Sequence, residues 1–178
     1  MSGERLRDMT ATALMAALLC VLGPIMIPIG VIPFSLQVLA VYLAVYALGM
    51  GRGTVAVIVY LLMGCVGLPV FAGFSGGAAR LIAPAGGFLV GFIPLALISG
   101  WAIDHFEGRL VLQFVGMFVG LVVLYVLGTA WLAYSAGLTL NRALQAAVYP
   151  FVAVDTVKIL CAMLLGRALR SRLKKAIK

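Results

Sequence analysis

Asp155 and Lys158 stand three residues apart inside the apolar stretch 149–166, a spacing that puts both on one face of a helix. In a bilayer each charge would cost roughly 2.5 to 3.5 kcal/mol at mid-depth unless it met a partner or water. Asp155 can accept hydrogen bonds from ligand N–H groups, and Lys158 can donate to a carbonyl or carboxylate. The competing reading is an ion pair internal to the helix. Against it, a buried pair is often no better for stability than apolar side chains of similar size.

Few other residues offer chemistry. The sequence has no phosphate-binding GxxxxGK[ST] loop, so no ATP hydrolysis is expected of it. Its single histidine, His105, falls on the polar link 104–109, and no metal-ligating cluster accompanies it. Cys20, Cys65 and Cys161 stand singly in apolar segments and read as small buried hydrophobes. Neither a metal, a cofactor nor enzymatic activity is expected. Binding or transport is the better class.

The elements that must position the pair are membrane helices. Of the 178 residues, 65% are hydrophobic and 10% charged, against about 25% charged in soluble domains. The expected fold is therefore all-α and integral to the membrane, a single domain over residues 1–178. Six transmembrane helices are expected at about 9–27, 36–48, 54–68, 86–103, 110–134 and 150–169. Gly23-Pro24 should weaken the end of the first. The Pro/Gly connector 28–33 leads to the second, and the turn 49–53 reverses the chain into the third. Stretch 135–149, with Asn141, Arg142 and Gln145 among apolar residues, suggests a short interfacial helix.

Charge sets the orientation. With both termini inside, the cytoplasmic side carries Arg5, Arg7, Arg52, Arg109, Arg167, Arg170, Arg172, Lys174, Lys175 and Lys178, and the outside only Arg80 and Arg142. That asymmetry predicts an N-in/C-in topology and accounts for the net charge of +8 without a nucleic-acid partner. Asp155 and Lys158 then lie roughly 8 and 12 Å along the sixth helix from Pro150, in the outer half of the bilayer.

The outer 3–4 loop, 69–87, is too apolar for a solvated loop and too broken by Gly and Pro for a helix. Irregular backbone at membrane depth survives where it is buried in protein or lines a cavity. The loop is therefore expected to form a lid or wall over a pocket, the competing reading being a loosely packed surface loop. Its one charge, Arg80, suits a ligand or lipid headgroups equally. Ser35, Gln37 and Ser75 are candidate polar contacts, with Phe34, Phe74, Tyr149 and Phe151 as apolar walls. On the first helix, Ala13 to Ala17, Thr12 to Ala16 and Ala16 to Cys20 form overlapping small-xxx-small steps, suited either to packing within the bundle or to an external partner.

Four segments carry a resemblance. Pro28-Ile-Gly-Val-Ile-Pro-Phe-Ser-Leu-Gln37, Gly67-Leu-Pro-Val-Phe-Ala-Gly-Phe-Ser-Gly-Gly77, Pro84-Ala-Gly-Gly-Phe-Leu-Val-Gly-Phe92 and Pro150-Phe-x-x-x-Asp-x-x-Lys158, in this order on six spans, are similar to the biotin-specific substrate-binding subunits (S components, BioY family) of energy-coupling factor transporters. The resemblance implies capture of biotin from outside a bacterial or archaeal cell membrane. It implies docking to a transmembrane coupling protein (T component) with two ATP-binding cassette subunits, and release of the vitamin inside as the subunit topples. It places Asp155 and Lys158 at the biotin site and Ala13 and Ala17 on the docking surface; Arg80, Ser75, Gly76, Gly77, Gln37, Phe34, Phe74 and Tyr149 are further candidate ligand contacts in this sequence. An S component for thiamine or riboflavin, or a structural or accessory membrane protein, are the alternatives; an intramembrane enzyme ranks last.

Overall fold

The structure, a computed structural model, describes residues 3–27 and 34–176, so the 28–33 connector lies outside the described residues. The described chain is mostly helical: α1 (Gly3–Leu22), α2 (Gln37–Cys65), α3 (Ala79–Ile82), α4 (Gly86–His105), α5 (Leu110–Ala136), α6 (Leu140–Ala147) and α7 (Val152–Ala176). Two short strands, β1 (Met26–Ile27) and β2 (Phe34–Ser35), pair antiparallel. Among the described residues three helices are by themselves long and apolar enough to cross a membrane: α2, α4 and α5. α6 and the stretch Val152–Arg172 meet that test together as a pair bent by 44°.

The first expected span is corrected at its end. Helix α1 stops at Leu22 rather than reaching 27, because Gly23-Pro24 cannot continue the hydrogen-bond ladder, and Met26–Ile27 becomes β1. The start lies earlier, at Gly3, so α1 includes Glu4, Arg5, Arg7 and Asp8.

Helix α2 is one continuous segment only in name. Gly49, at φ 80 and ψ −179, breaks it. The chain doubles back there: a Cβ built on Gly53 would lie 2.6 Å from the Cα of Val45. Gln37 Nε2 donates to Tyr60 Oη at 2.6 Å, although a straight helix would hold those residues roughly 35 Å apart. The two arms therefore lie side by side, as the Gly-rich turn suggested. Each arm, at roughly 18 and 24 Å, falls short of a hydrocarbon core of about 30 Å. At the open end the first arm is preceded by β2 and the second is followed by the segment between α2 and α4.

Asp104, at the end of α4, clasps the turn. Its Oδ2 accepts the Met50 N–H at 2.7 Å and its Oδ1 an Arg170 N–H at 2.8 Å, tying the α2 turn, α4 and α7 together. Gly49 is doubly constrained: its φ disfavours side chains, and a Cβ would sit 2.8 Å from Asp104 Oδ2. Gly49→Ala is expected to destabilise the fold by about 1 to 3 kcal/mol, read as a lower midpoint of thermal unfolding in detergent.

The core runs between α2, α4, α5 and α7, with Tyr42, Tyr60, Phe71, Leu95, Met117, Leu121 and Ile159 fully enclosed. Two tyrosines of α2 spend their hydroxyls on α5. Tyr42 donates to the Met117 carbonyl at 3.0 Å and Tyr46 to Gln113 Oε1 at 2.6 Å. α6 is the short amphipathic helix expected of 135–149, burying Ala143 and Ala147 while Asn141 and Arg142 face outward.

Candidate functional site

A cavity of about 240 Å³ opens at the ends of α2, α4, α5 and α7 away from the Gly49 turn, with Asp155 and Lys158 in its wall. Both are nearly inaccessible, at 3% and 6% exposure. They are one helical turn apart on α7, and their side chains meet, Lys158 Nζ to Asp155 Oδ1 at 2.7 Å. Neither group is satisfied by the other alone. Tyr125 on α5 donates its hydroxyl to Asp155 Oδ2 at 2.6 Å, Lys158 donates to the Ser35 carbonyl at 2.8 Å, and the ammonium sits 4.3 Å from the centre of the Phe34 ring. Such saturation explains how two charges persist in an apolar core.

The strand β2 supplies the second polar group of the wall. Ser35 donates to Gln37 Oε1 at 3.1 Å, Gln37 to Tyr60, and Tyr60 to the Val70 carbonyl at 3.0 Å. The chain of bonds anchors the 66–85 segment to both arms of α2. Phe71 packs edge-on against Tyr60, and backbone bonds between Phe71 and Ser75 close a tight turn. Gly77 N–H reaches the Gly64 carbonyl at 2.7 Å, and Trp131 on α5 donates to the Ala83 carbonyl at 3.0 Å. Held at these points, the segment lines the cavity with Phe71, Ala72, Ser75, Arg80 and residues 83–85. The remaining wall is apolar, from Phe88, Leu89, Phe92, Leu124 and Phe151.

The candidate residues divide accordingly. Asp155, Lys158, Gln37, Ser35, Ser75, Arg80 and Phe151 border the cavity. Phe34 stacks on Phe151 and supports Lys158 from behind. Phe74 and Tyr149 do not border it; both are largely exposed. Phe74, at φ 54, sits at the tip of the Phe71–Ser75 turn, which directs its ring outward. Gly76 and Gly77 shape the segment rather than face the cavity. A Cβ on Gly76 would lie 2.9 Å from the Gly67 carbonyl oxygen, and Gly77 adopts φ 96. Ala13 and Ala17 are exposed on α1, whereas Ala16 is buried, so the small-residue steps separate into an outward and an inward face.

Tyr125 was missed in the sequence. The available signal was a phenol in the middle of the apolar run 110–134, whose hydroxyl needs a partner once buried. Chemically, the cavity offers a carboxylate acceptor beside an ammonium donor deep inside, a guanidinium nearer solvent, and apolar surface between. This donor set suits an organic ligand with N–H, carbonyl and acidic groups.

Comparison with known proteins gives the same class. A model described as the BioY family matches residues 1–175, and the chain belongs to that family. "Biotin transporter BioY2" of Lactococcus lactis subsp. cremoris (strain MG1363) is 36% identical over 169 residues, 95% of this chain and 93% of that protein. "Biotin transporter BioY" of Thermotoga maritima is 38% identical over 165 residues, 93% and 96% of the two chains. The fold matches the crystal structure at 2.1 Å of the S-component for biotin from an ECF-type ABC transporter. The TM-score is 0.89 at 24% identity, over 96% of this chain and 94% of the other.

Proposed function

We propose that this chain captures biotin from outside the cell and takes part in its uptake as the S component of an ECF-type ABC transporter. The observation that carries the reading is the Asp155–Lys158 pair in the wall of a largely apolar cavity, in a chain of the BioY family. Biotin matches such a cavity. Its ureido N–H groups suit Asp155 and the Tyr125 oxygen, its ureido carbonyl suits Lys158, and its ring and aliphatic tail suit Phe88, Phe92 and Leu124. Gln37, Ser35 and Ser75 complete the polar contacts. Phe34 acts through Lys158, while Gly76 and Gly77 act by shaping the segment over the ligand.

The protein is multi-pass in the cell membrane. Its six spans are α1, the two arms of α2, α4, α5 and α7, with both termini inside. Gly49, Asp104, Arg109 and Arg167 then lie at the cytoplasmic face and the biotin cavity opens outward. As an S component it carries no ATPase of its own and works with a T component and two ABC ATPases. Ala13 and Ala17 form the docking face for the T component, since small exposed residues let a partner helix approach closely.

Equilibrium binding to the purified subunit tests the ligand, with thiamine and riboflavin as competitors. Saturable biotin binding that neither vitamin displaces is expected; absence of saturable biotin binding removes the function. Ala13→Trp combined with Ala17→Trp is expected to retain biotin binding while losing copurification with the T component and ATPases. Copurification at the wild-type level would remove the docking assignment.

A further inference from the structure

At the opposite end of the bundle a second cavity, of about 260 Å³, opens between α2, the α4–α5 link and α7. Its neutral polar groups are already committed. Tyr46 donates to Gln113 Oε1 at 2.6 Å, and Gln113 Nε2 donates to the Phe106 carbonyl at 2.9 Å. The charged groups of its lining are two guanidiniums, Arg167 and Arg170, and one carboxylate, Glu107. Arg170 spends one N–H on Asp104 at 2.8 Å and lies 4.0 Å from Glu107, leaving further donors of its fork. No carboxylate among the described residues pairs with Arg167. Three apart on α7, the two arginines share a face and can converge on one anion.

The surroundings of this cavity are apolar and uncovered. Leu110 lines it, and the next residue, Val111, is 75% exposed. One turn before Arg167 on the same face, Leu164 is 73% exposed. A phosphate at the arginines would therefore leave acyl chains against α5 and α7. We propose that this cavity is a binding site for an anionic phospholipid of the inner leaflet. The phosphate is held by Arg167 and the free N–H groups of Arg170, and the chains lie along the exposed faces of α5 and α7. Assignment to the inner leaflet rests on the N-in/C-in topology; the lipid site itself does not depend on biotin.

Native mass spectrometry of the full chain in detergent, titrated with phosphatidylglycerol or phosphatidylcholine of equal chain length, tests it. The wild type is expected to retain phosphatidylglycerol preferentially. Arg167→Gln should reduce that preference about fivefold, as expected for one cation near an anionic lipid surface, while biotin affinity stays unchanged. Glu107→Gln, which removes the competing carboxylate, should raise retention. Equal retention of the two lipids by the wild type, or equal preference in wild type and Arg167→Gln, overturns the site. Glycerol phosphate added at the same concentration separates a headgroup from a free phosphate: displacement of the lipid by it at equal affinity overturns the lipid assignment.

Discussion

Replacing Asp155 and Lys158 together by leucine is expected to leave the protein folded with roughly unchanged stability and to abolish saturable biotin binding. The two charges are buried together, 2.7 Å apart, so their desolvation is offset mainly by each other. Exchanging such a pair for apolar side chains is often neutral or stabilising, whereas removing one member costs about 3 to 5 kcal/mol. Asp155→Leu alone would leave the Lys158 ammonium with only the Ser35 carbonyl and the Phe34 ring. Both variants leave the Tyr125 hydroxyl without its acceptor, about 1 to 3 kcal/mol at most, and only the single leaves an unpaired ammonium, so the single should unfold at clearly lower temperature than the double. Thermal unfolding in detergent reads the first half of the expectation and calorimetric titration with biotin the second. A double variant that still binds biotin would make the pair a structural ion pair and nothing more.

The contact between Asp155 and Lys158 in the ligand-free protein also shapes how a ligand enters. Asp155 Oδ1 is held by Lys158 and Oδ2 by Tyr125, so in the proposed binding mode ureido N–H groups would meet a carboxylate that already accepts two hydrogen bonds. A carboxylate has further lone-pair sites and an ammonium a third donor, so in the proposed binding mode the ligand can share Asp155 and Lys158 with their present partners. Ser35 belongs to β2, which pairs with β1 after α1, so the Lys158 contact joins α7 to the strand pair bordering the cavity.

The parts of this arrangement legible in the sequence are those fixed by local rules. Two charges at helical spacing in an apolar run had to be satisfied, and Asp155 and Lys158 are. Gly49 to Gly53 read as a reversal because few sequences except glycine-rich ones allow a φ near 80 beside a close-packed neighbour. The apolar 3–4 segment read as a wall because its backbone could not be solvated within a membrane. Side-chain direction on irregular backbone was not legible. Phe74 and Tyr149 have the composition of pocket walls, yet a turn at Ser75 and another before Val152 rotate them outward, and nothing periodic in the sequence encodes that rotation. Tyr125 was hidden for the opposite reason. Its helix was plain, but which face of α5 meets α7 depends on packing among three helices.

Arg80→Gln is expected to weaken biotin binding about tenfold while changing the affinity for biotin methyl ester little. The argument begins at the other end of the cavity. A biotin carboxylate placed beside Asp155 would set two like charges together where little water screens them, so the proposed binding mode has the ureido ring there and the tail toward the segment between α2 and α4. Arg80, on α3, is the cation that borders this part of the cavity, and no ion-pair partner among the described residues occupies it. A charge-assisted hydrogen bond is worth about 1.5 to 3 kcal/mol when shielded, but Arg80 is exposed, and solvent and salt reduce that to about 1.4 kcal/mol, the equivalent of tenfold. Esterification removes the charge that Arg80 would read and leaves the ureido ring intact. If both ligands lose affinity equally in Arg80→Gln, the side chain acts by holding the α3 segment over the cavity. If neither does, the carboxylate is read elsewhere.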